Sequence, residues 1–460
     1  MNYSEAREYL KNVNKLGSIL GLNTIKELLK RLGNPQNELK VVHIAGTNGK
    51  GSIMTFVQNI LMESGYKVGR YCSPAVFNER EIIRINDEYI SEEQSADLLT
   101  RIKEKCDSMY SEGLPHPTSF EIETAEALMF FKEQNCDIAL IECGMGGETD
   151  ATNVFEKVIC SVIATISLDH TQFLGSTIEE ITKVKSGIIK ENCPVVMSKQ
   201  TGEAENVIKQ VCKQKNSELI IPTEQDFENV EIDGLTTKVT YKASNNKEYI
   251  LNLQALGTYQ IKNAKTAVEV ALVLDKALTE KTNICDESDK NNGTGMKNNI
   301  NNSGNAIEKN IKKGIEKTVW RGRMEVISKE PLIIIDGAHN PGAVLELRKT
   351  LDLYFTNKRI TFIMGVLSDK DFSKEAEIIA DRAERIITIT PNNSRGLDGH
   401  KLAETLVKYN HNVQVADSLK QAAEESIDTI KENRADMILA FGSLSYLGEL
   451  KQVVRLVCNH

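Results

Sequence analysis

Residues 39–65, LKVVHIAGTNGKGSIMTFVQNILMESG, constrain the fold more than any other stretch: a short apolar strand runs into a glycine-rich turn and out into a helix. Val41, Val42 and Ile44 precede the turn, and Ile53, Phe56, Val57, Ile60 and Leu61 follow at helical spacing until Gly65 stops the helix. Gly46, Gly49 and Gly51 let the backbone turn tightly, with successive N–H groups facing a polyphosphate at a helix N-terminus that adds partial positive charge. Lys50 is placed to reach outer phosphates, and Ser52 can offer its hydroxyl to Mg²⁺. The spacing departs from GxxxxGK[ST], since two residues separate Gly46 from Gly49 and Gly51 stands before Ser52. A Gly-rich heptapeptide alone is ordinarily a flexible surface loop; here the apolar flanks fit a loop that opens a helix.

The rest of the chain repeats the alternation of apolar strands and helices, which points to α/β layers with parallel sheets. At 460 residues, 40% hydrophobic, it is long enough for two or three cored domains. DIALIEC (137–143), VICSVIATISL (158–168) and PVVMSK (194–199) read as buried strands, and 229–253 as a small antiparallel meander. Residues 282–310, rich in Asn, Lys, Gly and Ser, read as a disordered insertion. After a linker at 320–323, LIIID (332–336), ITFIMGV (360–366), RIITIT (385–390), VQVAD (413–417) and MILAFG (437–442) form a second βα series, a Rossmann-like domain over 324–460. Its first loop, GAHNPGA, is not a dinucleotide GxGxxG.

Charge and cysteine usage narrow the function. A net charge of −9 disfavours a nucleic-acid footprint but not an anionic small substrate. No run of about 18 apolar residues predicts a membrane span, and the charged N-terminus does not read as a signal peptide. Nine cysteines without CxxC spacing predict a reducing cytoplasm and no structural zinc.

Several side chains fall where α/β sheets carry chemistry, at strand ends. Glu142 ends DIALIE before a glycine-rich loop, where a carboxylate would meet the nucleotide's Mg²⁺. Asp169 and His170 end the next strand, and Ser73 follows another, so Ser73, Glu142 and His170 are candidates to share one ion. Asp336 and His339 occupy the first loop of the second domain, Arg323 lies at the linker facing the cleft, and DKDF (369–372) repeats the acidic strand-end pattern. Acids and histidines at such positions are as often caps or surface groups. Lys185, in TIEEITKVKSGIIK, reads from composition as a solvated helix residue.

The ordered string HIAGTNGKGS, SPAVFNER, TSFE, ECGMGGETDATN, SLDHT, KSGIIK, WRGRME, DGAHNPGA, LSDKDF and GSLSYLGE resembles the folylpolyglutamate synthase/dihydrofolate synthase family of the Mur ligase superfamily, nearly end to end. The resemblance implies an N-terminal P-loop ATPase domain (1–319), a C-terminal Rossmann-like ligase domain, and a monomer acting in the cytoplasm on a folate and L-glutamate, with ATP and two Mg²⁺ ions. It also allows a monovalent cation. Thr47, Asn48, Gly49, Lys50, Gly51, Ser52, Asn263, Arg323, Asp336 and His339 match ATP-contacting positions. Ser73, Glu142 and His170 match metal ligands, joined by Lys185, which matches a lysine carbamylated in the family; that reverses its solvated reading. Lys50, Lys185 and His170 would be catalytic. Phe77 and Arg80 match a mobile substrate loop, and Thr118, Phe120, Asp150 and Ala151 the pterin side.

The chain departs from the family at Glu148, Val184 and Arg321, where arginine, glutamate and proline are common. The implied activity is ATP-dependent addition of glutamate to tetrahydrofolate or its polyglutamates, with 7,8-dihydropteroate as a second candidate acceptor. The rivals are a Mur-type amino-acid ligase acting on another carboxylate and a nucleotide switch without ligase chemistry.

Overall fold

The computed structural model describes residues 1–13, 21–223, 230–254, 256–288 and 306–458. They form two α/β domains. The first is built on an eight-stranded sheet of β1 (Val41–Ala45), β2 (Val68–Tyr71), β3 (Ile83–Ile85), β4 (Glu88–Tyr89), β5 (Ile138–Glu142), β6 (Cys160–Ile163), β7 (Val195–Met197) and β8 (Leu219–Ile220). Their order is β4-β3-β2-β5-β1-β6-β7-β8. From β2 to β8 every pairing is parallel, and β3 and β4 add an antiparallel edge.

Central β1 is buried along its whole length, as parallel strands covered on both faces must be. Val42 and Ile44 face the Lys50–Glu63 helix, packing with Ile53, Phe56, Val57 and Ile60. Val41 faces the opposite layer, which also takes Leu10, Ile25, Leu28 and Leu29 from the N-terminal helices. Those helices carry no strong local signal beyond amphipathicity, and the sequence reading assigned them nothing; here they cover a sheet face.

The expected meander is β9 (Val230–Asp233), β10 (Thr236–Lys242) and β11 (Glu248–Leu253), an antiparallel three-stranded sheet; Asn229 lies outside the described residues. Of the insertion expected at 282–310, residues 289–305 lie outside the described residues. Its limits are corrected on both sides: 282–288 belong to the helix Thr258–Ser288, and 306–310 begin the helix Ala306–Glu316, whose Ile307 and Ile311 are buried against the Lys50–Glu63 helix layer. The isoleucines recur every four residues there, a period masked by the surrounding polar run.

The second domain carries β12 (Glu325–Lys329), β13 (Leu332–Ile335), β14 (Ile360–Met364), β15 (Arg385–Thr388), β16 (Val413–Val415) and β17 (Met437–Phe441), ordered β12-β13-β17-β14-β15-β16. Each of the five expected strands is present and is followed by a helix. β12 is an unforeseen antiparallel edge on β13. Among the described residues no helix is long and apolar enough to cross a membrane.

The domains meet along the meander and the start of the Thr258–Ser288 helix on one side and the Pro341–Tyr354 helix and the end of β13 on the other. Thr237 Oγ1 lies 2.7 Å from Tyr354 Oη, Tyr259 Oη donates to Asp336 Oδ2 at 2.7 Å, and Thr258 N donates to Thr350 Oγ1 at 3.2 Å.

Candidate active site

The glycine-rich loop leaves β1 between β5, which ends at Glu142, and β6, which leads to Asp169. Gly46 and Gly49 have φ of +148° and +90°, values that L side chains rarely adopt, and Gly49 caps the Lys50–Glu63 helix. The expected row of free N–H groups needs correction at its start, because Thr47 N and Asn48 N donate to the Thr165 carbonyl at 2.8 and 3.0 Å. The donors that remain for an anion are the N–H groups of Gly49 and of the helix's first turn, Lys50 to Ser52, which have no intrahelical acceptors.

The loop is tied on all sides. Thr47 Oγ1 donates to Ser167 O at 3.1 Å. Asn48 and Asn340 exchange amide hydrogen bonds of 3.1 Å across the domain boundary. A Cβ on Gly49 would lie 2.5 Å from Asn263 Oδ1, and one on Gly51 2.7 Å from the Trp320 ring, so Asn263 and the linker tryptophan press directly on the loop. Trp320 is covered in turn by the Arg70 guanidinium, 5.1 Å from its ring centroid. The segment read as a linker is therefore part of the site's wall.

Three groups gather at the Gly46 carbonyl and the end of β5. Lys50 Nζ is 3.2 Å from Gly46 O and 3.5 Å from Glu142 Oε1. Lys185 Nζ donates to Gly46 O at 3.1 Å, and the residue is buried. The solvated reading of Lys185 is thus overturned: Gly147 packs against the Lys185 carbonyl, where a Cβ would approach to 2.7 Å, and brings the glycine-rich loop over this helix end. Burial, with the Lys50 charge adding to it, lowers the Lys185 pKa to about 8.

Glu142 also accepts from Cys72 Sγ at 2.6 Å, next to Ser73. His170 is half-exposed at a left-handed φ of 50°, its Nε2 4.0 Å from Asp169 Oδ2. Among the described residues no hydrogen bond or ion pair links Ser73, Glu142 and His170, and no three His, Cys, Asp or Glu side chains converge tightly enough to hold a metal ion. The donor chemistry nevertheless fits Mg²⁺. Glu142 and Ser73 are hard oxygen donors, the Lys50 ammonium already stands as a cation beside Glu142, and Mg²⁺ characteristically completes its shell with water and phosphate oxygens.

On the second domain's edge, Asp336 is 2% exposed and fully engaged by Tyr259 Oη, Met324 N and Ala338 N, so it braces the linker. His339 Nδ1 lies 2.7 Å from the Gly337 carbonyl and so carries the ring proton, leaving Nε2 as an acceptor. Burial and the Lys370 charge lower its pKa to about 4. Arg323 packs against Gly337 and donates to Gly322 O.

Sequence reasoning missed Lys370 as an individual. It reaches back to Asp169 Oδ1 at 2.8 Å, both side chains under 10% exposed, while Asn340 donates to Asp169 Oδ2 at 3.1 Å. Burial alone would raise the Asp169 pKa, but the Lys370 hydrogen bond and charge bring it down to about 2. Its only prior signal was the DKDF strand-end pattern.

The remaining candidates lie on the other side of Glu142. Thr118 caps the Ser119–Glu133 helix in a reciprocal capping box with Glu121. Phe120 lies against Gly144, Asp150 and Ala151 are buried in the loop after β5, and Asp150 accepts from Met145 N at 2.8 Å. Phe77 reaches the second domain, packing with Leu444 and under Lys451. Arg80 Nη1 donates to Ile90 O at 3.1 Å.

A parallel sheet with a glycine loop at its carboxyl edge, joined to a second α/β domain, is an architecture that a Mur-type ligase shares, and the sequence matches place the chain in that superfamily. Residues 44–271 match the Mur ligase middle domain and 322–444 the Mur ligase glutamate ligase domain. Within that superfamily the chain belongs to the folylpolyglutamate synthase/dihydrofolate synthase family. It is 30% identical over 464 residues to the dihydrofolate synthase/folylpolyglutamate synthase of Bacillus subtilis, covering 98% of each chain. The crystal structure of folylpolyglutamate synthase from Thermotoga maritima superposes with a TM-score of 0.78 at 31% identity, over 98% of this chain and 96% of that one. A structure described as an FPGS-AMPPCP-folate complex has a TM-score of 0.78 at 27% identity, over 99% and 100% of the two chains.

Proposed function

We propose that this chain is an ATP-dependent ligase that adds L-glutamate to a folate through an acyl phosphate. The observation that carries the reading is the convergence of Lys50, Glu142 and Lys185 around the Gly46 carbonyl, at the carboxyl edge where the sheet opens to the second domain. The division into a P-loop ATPase domain (1–319) and a Rossmann-like ligase domain (324–460), hinged at 320–323, is supported by the separate sheets and by the placement of Trp320 on the phosphate-loop helix.

In this reading the first-turn N–H groups of Lys50, Gly51 and Ser52 bind ATP phosphates, with Thr47, Asn48, Gly49, Asn263, Arg323, Asp336 and His339 shaping the pocket. A folate carboxylate oxygen attacks the γ-phosphorus, the bond to the ADP oxygen breaks, and an acyl phosphate forms. The amine of glutamate then attacks the acyl carbon, inorganic phosphate leaves, and the amine loses its proton. Lys50 neutralises the transferring oxygens, and closure of the cleft protects the acyl phosphate from water. Mg²⁺ held at Ser73, Glu142 and His170 would supply further charge neutralisation. Carbamylation of Lys185 would convert a buried ammonium into an anion beside that site, and Lys50, which disfavours the ammonium, would favour the anion. Phe77, Arg80, Thr118, Phe120, Asp150 and Ala151 would frame the pterin side.

A second acceptor, 7,8-dihydropteroate, is favoured by the Bacillus subtilis relative, whose name carries both activities. Phosphate release from ATP, measured with dihydropteroate, tetrahydrofolate or a one-carbon folate, each with and without L-glutamate, tests the proposal. Release that depends on both partners is the expected result; release indifferent to folate would overturn it.

A further inference from the structure

His43 sits on β1, three residues before the phosphate loop, and nothing in the reaction described above uses it. Its ring is fully buried, edge-on to Phe155 at 5.7 Å. Nε2 lies 2.9 Å from Thr152 Oγ1 and 3.1 Å from Cys143 Sγ, while Nδ1 is buried with no hydrogen-bond partner among the described residues. A leucine would fill this space without orphaning a nitrogen, so packing alone does not ask for histidine.

The proton count gives the contact a direction. Asp150 accepts on Oδ2 from Met145 N at 2.8 Å, and on Oδ1 from Thr152 N at 3.0 Å and Thr152 Oγ1 at 2.5 Å. A hydroxyl has one hydrogen, and Thr152 gives it to the carboxylate oxygen at 2.5 Å rather than to Cys143 Sγ at 3.4 Å, the weaker and more distant acceptor. The lone pairs left on Thr152 then face His43 Nε2, which must carry the ring proton, and the unpartnered Nδ1 is the bare nitrogen. Burial keeps this imidazole neutral, its pKa lowered to about 3, so the donor is present at any working pH.

We propose that His43 is a positioning residue for folate: its Nε2–H holds Thr152, Thr152 holds the Asp150 carboxylate, and the relay fastens the folate-side loop to the strand that carries the phosphate loop. The role rests on the reading of Asp150 as a pterin-side residue given above. The relay fits its place in the sheet. β1 pairs His43 with Ile141 and Ile44 with Glu142, so the same strand sets the register of the metal-side carboxylate and of the loop that leaves it.

Histidine-to-glutamine keeps a donor at nearly the same reach from the backbone, and histidine-to-leucine removes it. His43→Leu is expected to raise the KM for folate about tenfold, the typical effect of losing one hydrogen bond, with the KM for ATP changed less than about twofold. His43→Gln should recover most of that loss. In the unsubstituted enzyme labelled with ¹⁵N-histidine, the resonance that His43→Gln removes should report a neutral ring protonated on Nε2. An unchanged folate KM in folded His43→Leu, equal changes in both KM values with no rescue by glutamine, or an Nδ1-protonated ring would each overturn the proposal. An unsubstituted enzyme without folate-dependent turnover would overturn the substrate reading and the positioning role with it; the ring tautomer would still decide whether the His43–Thr152 bond exists.

Discussion

Lys185→Met should stop turnover while making the ligand-free protein more stable at neutral pH. Burial holds the ammonium's pKa at about 8 against an ordinary 10.5, which at 1.36 kcal/mol per pKa unit is a cost of up to about 3 kcal/mol below pH 8. The sign follows from proton binding. Between pH 8 and 10.5 the unfolded chain holds a proton on Lys185 that the folded chain has lost, so stability of the unsubstituted protein rises with pH across that window and the methionine's advantage shrinks to nothing at its top. The same depression leaves about a quarter of the folded amines neutral at pH 7.5, where an ordinary lysine has roughly one in a thousand, and only the neutral amine can take up CO₂. Thermal melts in CO₂-stripped buffer at pH 7 and pH 10 read the first effect, and a ¹³C carbamate resonance in labelled bicarbonate, lost in Lys185→Met, reads the second. Turnover should fall by about 10² or more, the scale of losing a charged group at a reacting centre. A Lys185→Met enzyme with normal turnover, or one that melts below the unsubstituted protein at pH 7, would refute the reasoning.

Lys50→Ala should lower kcat by about 10² or more if its ammonium neutralises phosphoryl oxygens as proposed; near-normal rates in a folded variant would remove the phosphate assignment. Gly49→Ala combines a disfavoured φ of +90° with a 2.5 Å approach to Asn263 Oδ1. It should cost about 1–3 kcal/mol of stability and raise the KM for ATP, and equal melting curves would count against the tight loop. Lys370→Met leaves Asp169 buried without its cation across the domain boundary, so small-angle scattering should report a more open particle and limited proteolysis faster cleavage near 320–323; identical scattering would show that the ion pair does not hold the cleft.

What the sequence determined by itself is local. The strand, glycine turn and helix at 39–65 follow from apolar periodicity and from glycine's backbone freedom, and the β/α alternation of the second domain is written in runs such as LIIID and ITFIMGV, because strands buried on both faces must be apolar throughout. The motifs were likewise enough to expect Glu142 and Asp336 at strand ends, whereas Asp169 and His170, expected there too, lie in the loop beyond β6, which stops at Ile163. Tertiary structure decided everything that depends on segments far apart in the chain: Lys185 buried on the Gly46 carbonyl, Asn48 paired with Asn340, Trp320 seated on Gly51, Lys370 holding Asp169, and His43 bonded to Thr152. A lysine in an amphipathic helix looks the same whether its tip is in water or in a core. Its burial was set by glycines some forty residues upstream that let another loop close over it, and no local pattern of charge or hydrophobicity records such an encounter.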